Sequence, residues 1–338
     1  MSKRVTIYDL AKILDVSTAT VSRALNDHKS IKESTKDRIR AAANEYGYRT
    51  NKFAVNLSKQ KSNTIGVIVP RLNSYFMSTV LSGIEKVANE VGYNLIISQS
   101  FESQAKEKMN AKTLFDSGVD ALLVSLASET NDYEHFTIYK NRNIPLLFFD
   151  RTQDLTSCPS ILIDNKTAGY EATDHLISRG CRNILHISGN LQRNVYKDRF
   201  QGYLNALKNY DIIYGSEYHI ETDLESNNIE STINHIQNLQ KIDGIFISND
   251  TFAVHVIKGL LKAGYDIPKD IKIIGFNNDP VSEVISPNLT TIDYPGYEMG
   301  VLAGQSIINH LKGNINIKSA ETILLKHKLI IRESTSHN

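Results

Sequence analysis

The sequence predicts an α/β protein: an all-α head of the helix-turn-helix kind, then a two-lobed body built on parallel sheets. Three observations predict it. Residues 1–50 repeat apolar side chains at helical spacing. From Thr64 onward, short apolar runs alternate with helix-length stretches. That alternation starts again near Ser160, which doubles the unit. At 338 residues the chain is too long for one ordinary core. The expected divisions are a head over 1–50, a linker over 51–62 and a body over 63–338. Within the body, one lobe takes about 63–160 plus 293–322 and the other about 161–292 plus 323–333.

In the first helix of the head, Ile7, Leu10, Ala11 and Leu14 fall at i, i+3, i+4 and i+7, which makes one apolar face. Asp15-Val16 forms a tight turn, with Val16 plugging the gap between helices. Ser17 is a good N-cap for a second helix, because its hydroxyl can accept from an unpaired backbone N–H of the first turn. Val21, Ala24 and Leu25 then face inward, leaving Thr18, Ala19, Ser22 and Arg23 outward. A helix carrying small and polar side chains on its outer face fits end-on into a DNA major groove. Arg23 can donate a fork of hydrogen bonds to guanine O6 and N7, Thr18 offers a hydroxyl and a methyl, and Ala19 packs. Thr20 and Ser22 suit phosphates; His28 suits a phosphate or solvent. A third helix places Ile39, Ala42, Ala43 and Tyr46 inward and ends at Gly47.

Charge supports the division. Residues 1–62 hold 13 basic and 6 acidic residues, a net +7, while the rest holds 25 basic and 31 acidic, a net −6. A basic head on an acidic body is the footprint of a DNA-binding module joined to something else. No apolar run approaches the roughly 18–20 residues of a membrane span, so no membrane partner is expected. The start Met-Ser-Lys-Arg-Val-Thr has no apolar signal core, which predicts a cytoplasmic protein. Cys158 and Cys181 fit no metal-binding spacing and read as reduced, buried thiols.

Three stretches, Val5-Thr-Ile-Tyr-Asp-Leu-Ala11, Val16-Ser-Thr-Ala-Thr-Val-Ser-Arg-Ala-Leu-Asn26 and Asn44-Glu-Tyr-Gly-Tyr-Arg-Thr-Asn51, resemble the lactose-repressor (LacI/GalR) family of bacterial transcription regulators. The likeness continues along the whole chain. In that family the residues matching Thr18, Ala19 and Arg23 read bases. The resemblance implies a DNA-contacting set of Thr6, Tyr8, Ser17, Thr18, Ala19, Thr20, Ser22, Arg23, Asn26, His28, Asn51, Val55 and Leu57. One departure is Thr50, where the family usually has a proline that would fix the exit from the third helix. The stretch Asn51–Ser62 holds a possible two-turn helix over Lys52–Lys59, too short to be stable alone. It resembles the family's hinge helix, which folds on the operator and pairs with its copy from a second subunit. The residue matching Leu57 wedges between base steps in the minor groove, with Val55 and Ala54 packing across the dimer. A plain tether is the alternative.

The body's apolar runs are Thr64-Ile-Gly-Val-Ile-Val-Pro70, Gly92-Tyr-Asn-Leu-Ile-Ile-Ser98, Ala121-Leu-Leu-Val-Ser125 and Pro145-Leu-Leu-Phe-Phe-Asp150. A second series follows: Ser160-Ile-Leu-Ile-Asp164, Asn183-Ile-Leu-His-Ile-Ser188, Gly244-Ile-Phe-Ile-Ser248 and Lys272-Ile-Ile-Gly-Phe276. Strands apolar on both faces and separated by helices argue for covered parallel sheets. Ligands of open α/β sheets bind beyond the carboxyl ends of strands. Those ends are polar and aromatic here: Asn73-Ser-Tyr-Phe76, Asp150-Arg151, Ser188-Gly-Asn190, Asn249-Asp250 and Asn277-Asn-Asp279. Such a mixture suits a small hydroxylated molecule. This half resembles periplasmic sugar-binding proteins, as the bodies of that repressor family do.

The resemblance implies that Asp150, Arg199, Asn249 and Asn277, shared with Asn278, hold the effector, and that Tyr75 and Phe76 close over it. Each residue has a structural alternative: Arg199 a helix cap or ion pair, Asn249 an N-cap, Asp150 a hinge support, Tyr75 and Phe76 ordinary packing. Asn277 replaces the family's common aspartate, and its amide still donates and accepts. There is no Walker loop, no Gly-x-Gly-x-x-Gly after a strand, no nucleophile elbow and no histidine cluster at metal spacing. The expectation is a non-enzymatic regulator without cofactor or metal. It should bind a near-palindromic duplex operator as a homodimer or higher oligomer, under control of a small molecule, a sugar first. A solute-binding protein without a DNA role, or a sugar-processing enzyme, are the alternatives.

Overall fold

The computed structural model describes residues 5–48, 61–152, 159–239, 241–317 and 322–336. The boundary between two compact units falls between Ser62 and Asn63. The expected hinge helix over Lys52–Lys59, with Asn51, Val55 and Leu57, lies outside the described residues, as does Cys158.

The head is three helices, α1 (Ile7–Leu14), α2 (Thr18–Leu25) and α3 (Glu33–Glu45). Thr6 caps α1 in a reciprocal box: its hydroxyl accepts from the Asp9 N–H at 3.3 Å, and Asp9 accepts from the Thr6 N–H at 2.8 Å. Asp15 ends α1 in the left-handed region, with φ 53°. Ser17 caps α2 by accepting from the Thr20 N–H at 3.1 Å. Leu10, Val21, Ala24 and Ile39 are fully buried between the helices, with Ala11, Ala42 and Ala43 beside them. Burying each large aliphatic side chain contributes about 1.5–3 kcal/mol. Arg38 pins α3 to the end of α1 by donating to the Leu14 carbonyl at 3.0 Å. Tyr46, expected inside, is exposed. The helix stops at Glu45, Gly47 turns the chain at φ 63°, and Tyr48 is delivered to the core instead.

In the body the chain runs through β1 (Thr64–Val69), α4 (Tyr75–Glu90), β2 (Asn94–Gln99), α5 (Gln104–Asp116), β3 (Ala121–Val124), α6 (Thr137–Asn141), β4 (Leu146–Phe149) and β5 (Ser160–Ile163). It continues through α7 (Asn165–Ser178), β6 (Ile184–Ser188), α8 (Asn194–Asn209), β7 (His219–Glu221), α9 (Ile229–Asn238) and β8 (Gly244–Ile247). The last part is α10 (Asp250–Lys262), β9 (Lys272–Asn277), α11 (Val281–Val284), β10 (Thr290–Asp293), α12 (Gly296–Leu311), β11 (Ile323–Leu325) and β12 (Lys328–Ile330).

Two six-stranded sheets result, in the orders β11-β5-β4-β3-β1-β2 and β12-β10-β9-β8-β6-β7. Their ladders are parallel except β10 with β12. Two expected lobe limits are corrected by the register. Ser160–Ile163 does not open the second series: Phe148 pairs with Ser160, so β5 belongs to the first sheet. Ile323–Leu325 pairs with β5 and joins that sheet as well, rather than the second lobe. An apolar run carries no mark of which sheet it completes; only pairing decides. Among the described residues the chain therefore passes between lobes at three places: after β5, after β10 and between β11 and β12.

In the second lobe α7 and α8 cross at near backbone contact. A Cβ on Gly169 would come 2.3 Å from the Arg199 carbonyl, and one on Gly202 would come 2.2 Å from the Lys166 carbonyl. This crossing sets where α8 places Arg199. Cys181 is buried and donates to the Asp243 carbonyl at 3.2 Å, and burial pushes its thiol up to about 12. Among the described residues no helix is long and apolar enough to cross a membrane.

Candidate functional site

Two surfaces carry the functional candidates. On the head, α2 leaves Ala19 and Arg23 exposed and Thr18, Thr20 and Ser22 half-buried, with Tyr8 exposed on α1. The caps of the two helices hold these side chains in place. Thr6 and Ser17 are spent on capping, and the Thr20 hydroxyl bonds the Ser17 hydroxyl at 2.9 Å. Asn26 donates to the Ser22 carbonyl at 2.8 Å, and His28 Nδ1 lies 2.8 Å from the Ser30 hydroxyl. Arg23 alone among these offers a long cationic fork to a partner.

The second surface is a cleft of about 150 Å³ between the lobes of the body. Phe76, Asp150, Arg199, Asn249 and Asn277 all line it. Arg199 is almost fully buried. Its Nε donates to Asn165 Oδ1 at 2.8 Å and its Nη1 to the Ser248 carbonyl at 3.0 Å. Its guanidinium sits 3.5 Å from the centre of the Phe276 ring, a stacking that a planar cation favours. Burial pulls its pKa below the ordinary arginine value.

Asp150 ends its strand in the left-handed region, φ 59°. Its carboxylate accepts from the Tyr294 hydroxyl at 2.7 Å and the Ser125 hydroxyl at 3.2 Å. Burial, then the Asp150 charge, raises the Tyr294 hydroxyl well above its usual value. Phe76 stacks on Tyr294, centroids 4.2 Å apart. Asn249 caps α10 by accepting from the Phe252 N–H at 2.9 Å, so its Oδ1 is committed to the helix. Asn277 is held at φ 118°.

Two expected residues are not in the cleft lining. Tyr75 opens α4 and is half-exposed; consecutive helix positions point about 100° apart, so only Phe76 turns inward. Asn278 is a tie within the second lobe: its Nδ2 donates to Asp293 at 2.9 Å and its Oδ1 accepts from Arg332 at 2.8 Å.

The structure adds a charged set that the sequence reading missed. Glu102 accepts from Arg151 Nη1 at 2.8 Å and from the Ser128 N–H at 2.8 Å, with Arg71 Nε at 3.4 Å. Burial opposes its charge, but Arg151, the Ser128 N–H and Arg71 together hold its carboxyl below the usual range. Arg71, on the first lobe, also pairs with Glu225 on the second at 2.5 Å. Arg193 adds another bond between lobes by donating to the Thr130 carbonyl at 2.5 Å. Glu102 and Arg71 stand in loops after strands, where only the Asp150-Arg151 junction had drawn notice.

Behind the cleft, next to Asn249 and Asn277, two acids are buried together. Asp250 accepts from the Thr291 hydroxyl at 2.7 Å and from the Asp279 N–H at 2.8 Å. Burial and the Asp279 charge push Asp250 up to about 7, and burial pushes Asp279 up to about 6. Both lie above the unfolded aspartate value of about 3.9. The native state therefore holds protons that the unfolded chain releases. The resulting stabilisation is full below about pH 4 and is lost as pH rises through 6 to 7. Asp250→Asn should flatten the fall of the body's Tm over that window; a wild-type slope in the variant would show that the pair does not set it.

A basic three-helix head and a polar interlobe cleft define a class: a DNA-binding module carried with a ligand-sensing body. Residues 6–51 match the model of bacterial regulatory proteins of the lacI family, and 173–335 match a periplasmic binding protein-like domain. Catabolite control protein A of Priestia megaterium is 31% identical over 98% of this chain and 99% of its own. A LacI transcriptional regulator from Alkaliphilus metalliredigens, solved with D-xylulofuranose, is 30% identical with a TM-score of 0.69, covering 81% of this chain and 100% of its own. The lac repressor dimer solved with operator and an anti-inducer shares the fold, with a TM-score of 0.86 at 23% identity, covering 98% of this chain and 99% of its own. The chain belongs to the LacI family, and it is a DNA-binding transcriptional regulator.

Proposed function

We propose that this regulator is a repressor that binds a near-palindromic duplex operator as a homodimer, and that a sugar in the interlobe cleft sets its operator affinity. The observation that carries the reading is the cleft itself. Arg199, Asn249 and Asn277 on one lobe oppose Phe76 and Asp150 on the other, with stacked aromatics between polar groups. That is the mixture adjacent hydroxyls and an apolar ring face require. A ligand touching both lobes favours one lobe arrangement over another, and DNA affinity follows by linkage. The solved Alkaliphilus relative, with D-xylulofuranose bound, supports a sugar.

In this reading Arg23 and Thr18 read bases, Ala19 packs on them, and Thr20, Ser22, Asn26, His28 and Tyr8 meet the backbone. Thr6 and Ser17 present the N-termini of their helices to phosphates. Asn51, Val55 and Leu57 act at the hinge. The dimer face we assign to the edge of β2 that pairs with no strand among the described residues, where Ile96 and Ile97 are both more than two-fifths exposed. The body senses and does not catalyse, and the setting is the cytoplasm.

The direct test is titration of the full chain with duplex DNA, with and without sugars, at two salt concentrations. Arg23→Ala should weaken specific binding by about 1–3 kcal/mol and relax preference at one base pair. Unchanged discrimination between the preferred site and random duplex would remove Arg23 from base reading.

A further inference from the structure

We infer that the effector has two linked rings, a neutral disaccharide or glycoside, because the cleft is the inner half of a longer site. This rests on the sugar reading above and extends it. A second chamber of about 400 Å³ opens beside the first, lined by Ser128, Gly189, Asn190, Glu221 and Thr222. The two chambers adjoin, with Arg71, Glu102, Arg151, Tyr196 and Asp223 lining both. The inner chamber alone falls short of the ~300–1,000 Å³ of a complete small-molecule site, and the outer one brings the site into that range.

Tyr196 forms the partition. Its ring lies directly over Gly189, where a Cβ would come 2.5 Å from the ring. The guanidinium groups of Arg151, which lines both chambers, and Arg199, which lines the inner one, each lie 5.7 Å from its centre. The ring is thus held in one place, as a platform for the apolar face of a sugar unit in passage from one chamber to the other.

The charges of the partition are already paired. Arg151 and Arg71 share Glu102, Arg71 also holds Glu225, and Asp223 accepts from the Glu225 N–H at 2.9 Å. A phosphate entering here would have to displace Glu102 from both arginines, and a carboxylate would face Glu221 and Asp223. A neutral ring meets no such conflict. It finds the Thr222 hydroxyl, the Asn190 Nδ2 donor and the accepting side of the Ser128 oxygen. Asn190 Oδ1 already accepts from the Gln192 N–H at 2.8 Å, and the Ser128 hydroxyl already donates to the Glu102 carbonyl at 3.3 Å.

The experiment is calorimetry on the full-length protein with glucose, galactose, fructose, xylose and ribose, with cellobiose, maltose, lactose and sucrose, and with glucose 6-phosphate. At least one disaccharide should bind about tenfold or more tightly than either of its component sugars. The double variant Asn190→Ala, Thr222→Val alters the lining of the outer chamber and not of the inner one, and it also removes the acceptor of the Gln192 N–H. With an unchanged melting temperature, it should lose that advantage while keeping its affinity for single sugars within about twofold. A single sugar that binds as well as every disaccharide containing it would overturn the two-ring site. So would a double variant that keeps the disaccharide preference, or tighter binding of the phosphorylated sugar. No binding by any sugar, long or short, would instead overturn the sugar reading on which this rests.

Discussion

Arg199→Ala is expected to abolish the response of operator binding to ligand while leaving ligand-free operator binding near wild type. The expectation follows from where the side chain is spent. Its Nε and Nη1 hold Asn165 and the Ser248 carbonyl, and its flat face covers Phe276. Truncation leaves those two acceptors, and any ligand oxygen it served, without a donor, at about 1–3 kcal/mol each. Affinity for the effector should fall by about tenfold or more. The head belongs to a different compact unit and keeps its own core. Calorimetry beside an operator titration checks both halves, and a melting curve checks the fold. Arg199→Lys retains charge without the fork and should recover stability better than ligand affinity. Wild-type ligand affinity in the alanine variant would remove Arg199 from the site.

A large effect on stability is expected at Gly202. A methyl group there would stand 2.2 Å from the Lys166 carbonyl and 2.5 Å from the Tyr170 nitrogen, both backbone atoms that no rotamer change can move. The α7–α8 crossing must open, and every contact between the two helices loosens. Gly202→Ala should cost about 3 kcal/mol or more. Because α8 carries Arg199 and Tyr196, ligand affinity should fall with it. Thermal unfolding of the body, followed separately from the head by a probe in each, is the check. A Tm within a degree of wild type would mean that the helices can part freely.

The alternation of strands and helices was legible because buried parallel strands are apolar on both faces, which sets them apart from the polar surroundings. The head was legible because Ser17 and the spacing around Leu10 and Val21 encode one capped, one-sided helix each. What escaped were facts of pairing and direction. Ser160–Ile163 and Ile323–Leu325 would satisfy either sheet by composition, and only hydrogen-bond register assigns them. Tyr75 and Phe76 are neighbours in sequence, but one turns to solvent and one to Tyr294. Asn278 carries the same chemistry as Asn277, yet Asp293 and Arg332 claim it. Glu102 was invisible because its partners, Arg71 and Arg151, are remote in the chain; nothing local distinguishes it from a solvated acid.

The three passages between the lobes have a consequence for synthesis. Neither lobe is a continuous stretch of chain: the first sheet needs β11 and the second needs β12, which leave the ribosome almost together. The head, by contrast, is complete after its third helix, and domains generally fold as units in the order they are made. A nascent chain therefore owns a finished DNA-contacting module while both halves of its sensor still lack an edge strand. Regulation by ligand begins only when the last segment is in place, so truncation late in the message removes control from both lobes at once and leaves the head untouched.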